Sequence, residues 1–198
     1  MTNLRHAHLR DILAIRALRV AAADELTRRA GRGHWSDVSF FPILHRAIFG
    51  GSLFVIEEGG EILASFTLDT IVAEYCKKEW FTHPADPAFY LRSLSVRVDR
   101  QGRGVGRRAM QAAEDLARKR GMKALRCDAY DGAASAGGFY EKCGFRPLRG
   151  GTVDGTITQL RFTLEPIADI QGHPQQAEIE TAIKSRLVDT YADGTFRP

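Results

Sequence analysis

Cysteine is scarce in this sequence of 198 residues, and the spacing of its cysteines is unlike that of a disulfide-bonded fold or a zinc-stabilised fold. Only Cys76, Cys127 and Cys143 occur, an odd number, and no Cys-x-x-Cys pair is present. This pattern predicts neither a disulfide framework nor a structural zinc site. The histidines form no persuasive ligand set, because His6 and His8 are a pair without further ligands. We therefore expect no metal.

Long apolar runs are missing as well. No stretch is long or apolar enough to span a bilayer. The first residues, MTNLRHAHLRD, contain no apolar core of a secretory signal. Internal repeats and low-complexity segments are also absent, while 44% hydrophobic and 9% aromatic residues suffice for a packed core. The sequence therefore predicts a cytoplasmic globular protein that makes no membrane contact.

The positive charge of the chain is concentrated in one segment. Residues 97–108 contain five arginines and one aspartate, a balance of +4, which equals the net charge of the whole protein. The remainder of the chain is balanced. This distribution favours one site for an anionic ligand over a surface coated with nucleic acid.

Apolar periodicity predicts alternating strands and helices. The first strand is LRHAHL, and Asp11 is the expected N-cap of a helix that ends near Gly31. A second helix is expected over 36–49, and a hairpin turns at Gly59-Gly60. After an irregular loop at 73–88, the expected elements are the strand FYLRSLSVRV, a helix from Gly104 to Arg120, the strand MKALRCDAY, the short helix ASAGGFYEK and the final strands FRPLRGG and TITQLRFTLEP.

These elements predict an α/β (α+β) domain over residues 1–165. Its central sheet is expected to be mixed, with about 6–7 strands and flanking helices, because hairpins are antiparallel and the strand–helix–strand unit at 90–130 is parallel. Residues 166–198 are expected to form a C-terminal extension with one amphipathic helix. We expect residues 174–191 of this helix to help form a homodimer.

The segment RQGRGVGRR, residues 100–108, lies at a strand-to-helix junction. Unpaired N–H groups in the first turn of a helix attract anions, glycines allow close approach, and arginines add charge-assisted hydrogen bonds. The segment is interpreted as a phosphate or pyrophosphate site, although a plain turn with solvated arginines is the alternative. The dinucleotide pattern GxGxxG and the P-loop pattern GxxxxGK[ST] both fail here.

Two motifs resemble those of the GNAT superfamily of N-acetyltransferases. Gln101-x-x-Gly104-x-Gly106 is similar to the pyrophosphate loop of that family. The later block Ala136-x-x-Phe139-Tyr140-Glu141-Lys142-Cys143-Gly144-Phe145 is similar to its AxxFYEKxGF block. The resemblance covers residues 3–165 and implies transfer of an acetyl group from acetyl-CoA to a primary amine.

The resemblance also implies which residues bind acetyl-CoA. Backbone groups of Val96 and Val98 would hold the pantetheine like a neighbouring strand. Many members have an asparagine where this chain has Ala133, so Ser135 or backbone would replace that contact. The pyrophosphate would lie on backbone N–H groups of Gln101, Gly102, Arg103, Gly104, Val105 and Gly106, and on the side chains of Arg103 and Arg107.

Tyr140 occupies the position of the family's general acid, which would protonate the departing thiolate of CoA. The general base is less clear from the sequence. The fourth strand offers only serines where some members have glutamate, so the candidates are Asp128 on the fifth strand and Glu74 and Glu79 on the preceding loop. Asp128 could instead be a structural hydrogen-bonding group.

The acceptor amine is not identified by the sequence. Trp35, Trp80 and Glu74 lie in regions where the resemblance places acceptor specificity, and aromatic rings there could pack the apolar part of an amine. Small molecules and peptides both fit. A non-catalytic module that senses acyl-CoA remains an alternative function, and binding of nucleic acid is a third, disfavoured one.

Overall fold

The structure of the protein is a computed structural model that describes residues 3–37, 41–72, 76–81, 83–130, 134–153 and 157–164. Seven strands and four α-helices follow one another along these ranges. In chain order they are β1 (Asn3–His6), α1 (Ile12–Ala30), α2 (Phe41–Phe49), β2 (Leu53–Glu58), β3 (Glu61–Asp69), β4 (Ala88–Val96), α3 (Val105–Lys119), β5 (Ala124–Tyr130), α4 (Gly137–Lys142), β6 (Arg146–Val153) and β7 (Ile157–Leu164).

All seven strands form one sheet in the order β1-β2-β3-β4-β5-β7-β6. The β4–β5 pair is parallel, and every other neighbouring pair is antiparallel. A parallel pair needs a long crossover, which α3 supplies. The predicted mixed sheet with flanking helices is confirmed. The predicted C-terminal extension and its helix lie outside the described residues.

Each face of the sheet is covered by its own helices, because alternate residues of a strand point to opposite faces. On one side, Phe66 of β3 and Leu91 of β4 pack in the main core with Ala109 of α3. On the other side, Val55 of β2 packs with Ile15 of α1 and with α2. We call these sides the α3 face and the α1 face.

Asp11 occupies the predicted N-cap position of the first helix, but its side chain has a different partner. A 3₁₀ turn, Leu9–Asp11, precedes α1, and the Asp11 carboxylate accepts the backbone N–H of His8 at 2.8 Å and not an N–H of α1. Arg5 of β1 donates to the same carboxylate at 2.6 Å. Burial alone would raise the pKa of Asp11, but these hydrogen bonds outweigh burial and hold its pKa below the ordinary value. The interaction ties β1 to the start of α1.

The predicted second helix is shorter than expected. A separate 3₁₀ turn, His34–Asp37, comes first, and the α-helix runs only over Phe41–Phe49. Pro42 gives the reason, since a proline lacks the N–H of an interior helical hydrogen bond and is accommodated in the first turn of a helix. A continuous helix over 36–49 would have placed this proline in its interior.

Candidate active site

The parallel pairing of β4 and β5 is short, and the two strands part to leave a gap. Among the described residues, their paired Cα positions run from Ala88 and Ala124 to Leu91 and Cys127. Beyond that point β4 stays paired with β3, and β5 stays paired with β7. Ser93 has a φ of 53° where the β3–β4 register shifts, which is a left-handed conformation that is uncommon outside glycine. The diverging halves of the strands enclose the β4–β5 gap.

Val96 presents backbone groups to this gap. Arg97 donates its N–H to the carbonyl of Leu63 on β3 at 2.9 Å, and the backbone groups of successive strand residues point to opposite sides. The N–H and C=O of Val96 therefore point away from β3, and its carbonyl accepts the side-chain amide of Gln101 at 3.2 Å. Val98 differs from the strand-like expectation, because it begins a 3₁₀ turn, Val98–Arg100.

The glycines of the loop have different physical roles. Gly102 and Gly104 have φ values of 72° and 80°, which favour glycine, and the space around each is open. Gly106 has no such φ. A Cβ there would lie 3.1 Å from Cε2 of Phe139 and 3.7 Å from Cγ2 of Val96. Close packing against Phe139 of α4, in addition to any ligand, therefore favours glycine at position 106.

The N-terminus of α3 exposes backbone donors. The first backbone hydrogen bond of this helix joins the N–H of Arg108 to the carbonyl of Gly104 at 3.0 Å. No described backbone carbonyl accepts the N–H groups of residues 104–107. The N–H groups of Gln101 and Arg103 already donate within the turn, at 3.3 and 3.4 Å. Within the predicted range, the N–H of Gly102 likewise has no described backbone acceptor, and the N–H of Arg107 adds one donor beyond that range.

The five arginines of the segment fall into two groups. Three form ion pairs: Arg97 and Arg100 with Asp99 and Glu61, and Arg108 with Glu58. Arg103 and Arg107 have no carboxylate partner among the described residues. Arg107 donates to the carbonyl of Lys142, at the end of α4, at 3.1 Å. The two arginines predicted to bind an anion are the two whose charges remain uncompensated.

Tyr140 is buried on the α3 face beside the gap. Its side chain is 6% exposed, and its ring lies 5.3 Å from that of Phe139 and 5.9 Å from that of Phe145. Burial raises the pKa of the Tyr140 phenol well above its usual range, and the neighbouring Cys127 and Asp128 add to the effect. The phenol therefore keeps its proton at neutral pH. Packing and proton donation are both open to this residue.

Asp128 lies on the other side of β5. Cys127 and Ala129 pack in the core of the α3 face with Tyr140, so strand alternation points Asp128 to the α1 face. The carboxylate is half-buried and still close enough to influence the pKa of Tyr140. The structure thus brings the two predicted catalytic residues to the same end of β5, on opposite faces of the sheet.

The remaining predicted site residues have diverse environments. The Ser135 hydroxyl accepts the N–H of Gly137 at 3.0 Å, so it already has a local role at the start of α4. Trp35 is half-buried and lies against Gly33. Trp80 packs against a small core cluster that includes Tyr90 of β4. Glu74 and Ala133 lie outside the described residues.

Two buried arginines on the α1 face were not predicted. Arg126 of β5 is fully buried and donates to the Tyr90 hydroxyl at 3.0 Å and to the His83 carbonyl at 2.8 Å. Arg19 of α1 is 2% exposed and donates through Nε to the Ser65 hydroxyl at 3.1 Å. The sequence signal for Arg19 is weak but present, because it continues the buried stripe of α1 through Ile15.

Comparison with known proteins agrees with this geometry. The model of the acetyltransferase (GNAT) family matches residues 20–145. The chain belongs to the GNAT acetyltransferase family. The family predicted from the two motifs is therefore confirmed, and the matched range ends at Phe145, the last residue of the second motif.

Solved structures of this GNAT fold resemble the chain at low sequence identity. A GNAT acetyltransferase of Listeria monocytogenes is 22% identical, with a TM-score of 0.63 over 83% of this chain and 94% of its own. One of Streptococcus agalactiae is 17% identical, with a TM-score of 0.66 over 83% and 95%. The protein yncA of Salmonella typhimurium, solved with its cofactor acetyl-CoA, is 17% identical, with a TM-score of 0.59 over 83% and 93%. No curated protein sequence matches the chain.

The family fixes the class of cosubstrate, since GNAT acetyltransferases use acetyl-CoA. Within the described ranges, no three histidine, cysteine, aspartate or glutamate side chains group as metal ligands would. In the same part of the chain, no helix combines the length and the apolar character needed to cross a membrane.

Proposed function

We propose that this chain is an N-acetyltransferase that moves the acetyl group of acetyl-CoA onto a primary amine. The observation that carries the proposal is the continuity of the β4–β5 gap with the loop that follows β4. Backbone groups of Val96 face the gap, and the free N–H groups and uncompensated arginines begin a few residues later. An extended ligand with a phosphate at one end fits this arrangement.

Acetyl-CoA would bind with its pantetheine along β4 and its pyrophosphate at the start of α3. The N–H of Val96 can donate to a pantetheine amide, as a neighbouring strand would. The Val96 carbonyl can accept a hydrogen bond from the pantetheine only if the Gln101 amide, which now donates to it, moves away. The N–H groups of residues 104–107 face the pyrophosphate, together with the guanidinium groups of Arg103 and Arg107. Charge-assisted hydrogen bonds of this kind are about twice as strong as neutral ones.

The acceptor must lose a proton before it attacks. An alkylamine with a pKa of about 10.4 is only about 0.04% neutral at pH 7, a free-energy cost of roughly 4–5 kcal/mol. Asp128 is the proposed base, acting directly or through one water, because its carboxylate lies beside the gap on the α1 face. An amine arriving from that face would reach the thioester from the side opposite Tyr140.

Tyr140 is the proposed acid. The amine nitrogen forms a bond to the carbonyl carbon of the thioester, and the carbon–sulfur bond then breaks. The base takes one proton from the ammonium before the attack. The sulfur leaves as a thiolate and takes the proton of the Tyr140 hydroxyl, and the second proton lost by the nitrogen restores the Tyr140 phenol through water, so the products are the amide, the CoA thiol and one proton on the base. The burial that raises the pKa of Tyr140 keeps this phenol protonated.

The experiment is a thiol-release assay with acetyl-CoA and a panel of primary amines, followed by mass analysis of the products. The proposal expects free CoA together with an amine that has gained one acetyl group. Tight binding of acetyl-CoA without an acetylated product from any amine would contradict it and favour a sensing module. The Arg103→Ala/Arg107→Ala protein serves as the control, and its release rate at low acetyl-CoA concentration should be lower.

A further inference from the structure

Arg19 is a buried cation with too few partners. It lies on the stripe of α1 that packs against the sheet, one helical turn after the fully buried Ile15. Among the described residues, its one hydrogen-bond partner is the Ser65 hydroxyl, which accepts from Nε at 3.1 Å. Its Nη2 is buried and has no hydrogen-bond partner, and no described carboxylate forms an ion pair with it. Burial lowers the pKa of Arg19 to about 10, so the guanidinium is still charged at neutral pH.

Two other arginines of the sheet have carboxylate partners, and the buried Arg126 of β5 donates to a hydroxyl and a carbonyl. Arg92 of β4 forms an ion pair with Asp69 of β3 on the same α1 face. Arg5 is held by Asp11 and by Glu57. A buried charge without a counterion is strongly disfavoured, so a cation that the fold leaves uncompensated calls for an anion supplied from outside.

The position of Arg19 connects it with the proposed active site. Ser65 pairs in register with Ser95 of β4, and the side chains of such a pair lie on the same face. Ser95 belongs to the diverging half of β4, beyond Leu91, where β4 no longer pairs with β5. Arg19 therefore lies over β3 on the α1 face, one strand from the β4–β5 gap and on the side from which the acceptor would arrive.

We propose that the acceptor carries a carboxylate as well as its amine, and that Arg19 binds this carboxylate. The inference rests on the proposed function, because it concerns the acceptor side of the same gap. A carboxylate matches a guanidinium in planar geometry and can bind two of its N–H groups. Its single negative charge also balances the single charge of Arg19, whereas a phosphate dianion would leave a buried negative charge. Arg19 is then a residue that determines acceptor specificity.

The first test compares acceptors that differ only at the carboxyl group. The probes are L-amino acids, their amides and the corresponding decarboxylated amines, assayed by thiol release with the full-length protein. The amino acids should exceed their amides by about 100-fold in kcat/KM, mostly through KM, which corresponds to about 2.7 kcal/mol. Arg19→Met should abolish this preference and Arg19→Lys should retain part of it, while Arg16→Met, on the exposed side of the same helix, should retain it fully.

The second test does not depend on catalysis. At constant ionic strength, acetate should raise the melting temperature of the wild-type protein more than acetamide and chloride do, and Arg19→Met should remove the difference. Without added anion, Arg19→Met should be at least as stable as wild type. Equal turnover of acids and amides, or an acetate effect that survives in Arg19→Met, would overturn the inference. If the proposed function itself were wrong, no amine would give thiol release. The melting test does not need catalysis, so it would still show whether Arg19 binds a carboxylate.

Discussion

Replacing Gly106 by alanine would place a methyl group against the ring of Phe139. The two residues belong to two separate motifs, the loop before α3 and the block that contains α4. The added Cβ would lie 3.1 Å from Cε2 and 3.2 Å from Cζ of the ring, closer than ordinary van der Waals contact. The ring or the helix must therefore move by a few tenths of an ångström.

Two effects of opposite sign determine how Gly106→Ala changes the free energy of unfolding. Alanine is favoured over glycine in a helix by about 1 kcal/mol, whereas overpacking a filled contact costs about 1–3 kcal/mol. Gly106→Ala should therefore destabilise the protein by about 0–2 kcal/mol. In a Phe139→Leu background the clashing Cε2 and Cζ atoms are gone, and the same methyl should stabilise by about 1 kcal/mol.

The assay is a double-mutant cycle measured by urea unfolding of the four proteins. The predicted coupling between positions 106 and 139 is about 1–3 kcal/mol. Gly102→Ala is the matched control, because it is strained by its φ of 72° but has nothing within 4 Å of its Cβ. Its cost should be the same in both backgrounds. Additivity of Gly106→Ala and Phe139→Leu within about 0.5 kcal/mol would refute the reasoning.

Two further predictions concern the proposed general acid, Tyr140, and the ion pair of Asp11 at the start of α1. Tyr140→Phe should lower kcat by about 100-fold or more with little change in KM for acetyl-CoA, and full kcat across the pH range would exclude the acid role. The lowered pKa of Asp11 means that its carboxylate stabilises the fold at pH values above the unfolded pKa and ceases to do so as pH falls through the folded pKa. Asp11→Asn should therefore cost about 1–3 kcal/mol in urea unfolding at pH 7 and much less at about pH 3, whereas an equal loss at both pH values would contradict the ion pair with Arg5.

The strand–helix–strand unit around the loop could be predicted because its signals are local. The residues Val105 and Ala109, spaced for one helical face, are both buried in the structure, and Gly121 has the positive φ expected at the end of the helix. The start of α2 differs from the prediction, because the apolar pattern does not show that Pro42 must lie in the first turn of the helix.

The features that sequence reasoning missed depend on contacts between distant residues. Gly106 is packed by Phe139, which comes 33 residues later, so the motif alone could not separate a packing role from a phosphate-binding role. In the sequence, Arg19 looks like an ordinary polar residue of α1. Its burial depends on contact with Ser65, which is 46 positions away. The division of the loop arginines likewise follows from carboxylates on the β2–β3 hairpin, among them Glu61.

The proposed function depends on the loop before α3 binding the pyrophosphate of acetyl-CoA. This binding can be measured by calorimetric titration with acetyl-CoA in wild type, in Arg103→Ala/Arg107→Ala and in the matched control Arg97→Ala/Arg108→Ala. Both double variants remove two positive charges from the same segment, so long-range attraction is reduced equally. Wild type should bind acetyl-CoA, Arg103→Ala/Arg107→Ala should bind it about 100-fold more weakly or worse, and the control should lose far less affinity. Equal weakening of the two variants, or no binding by wild type, would show that the loop is not the pyrophosphate site.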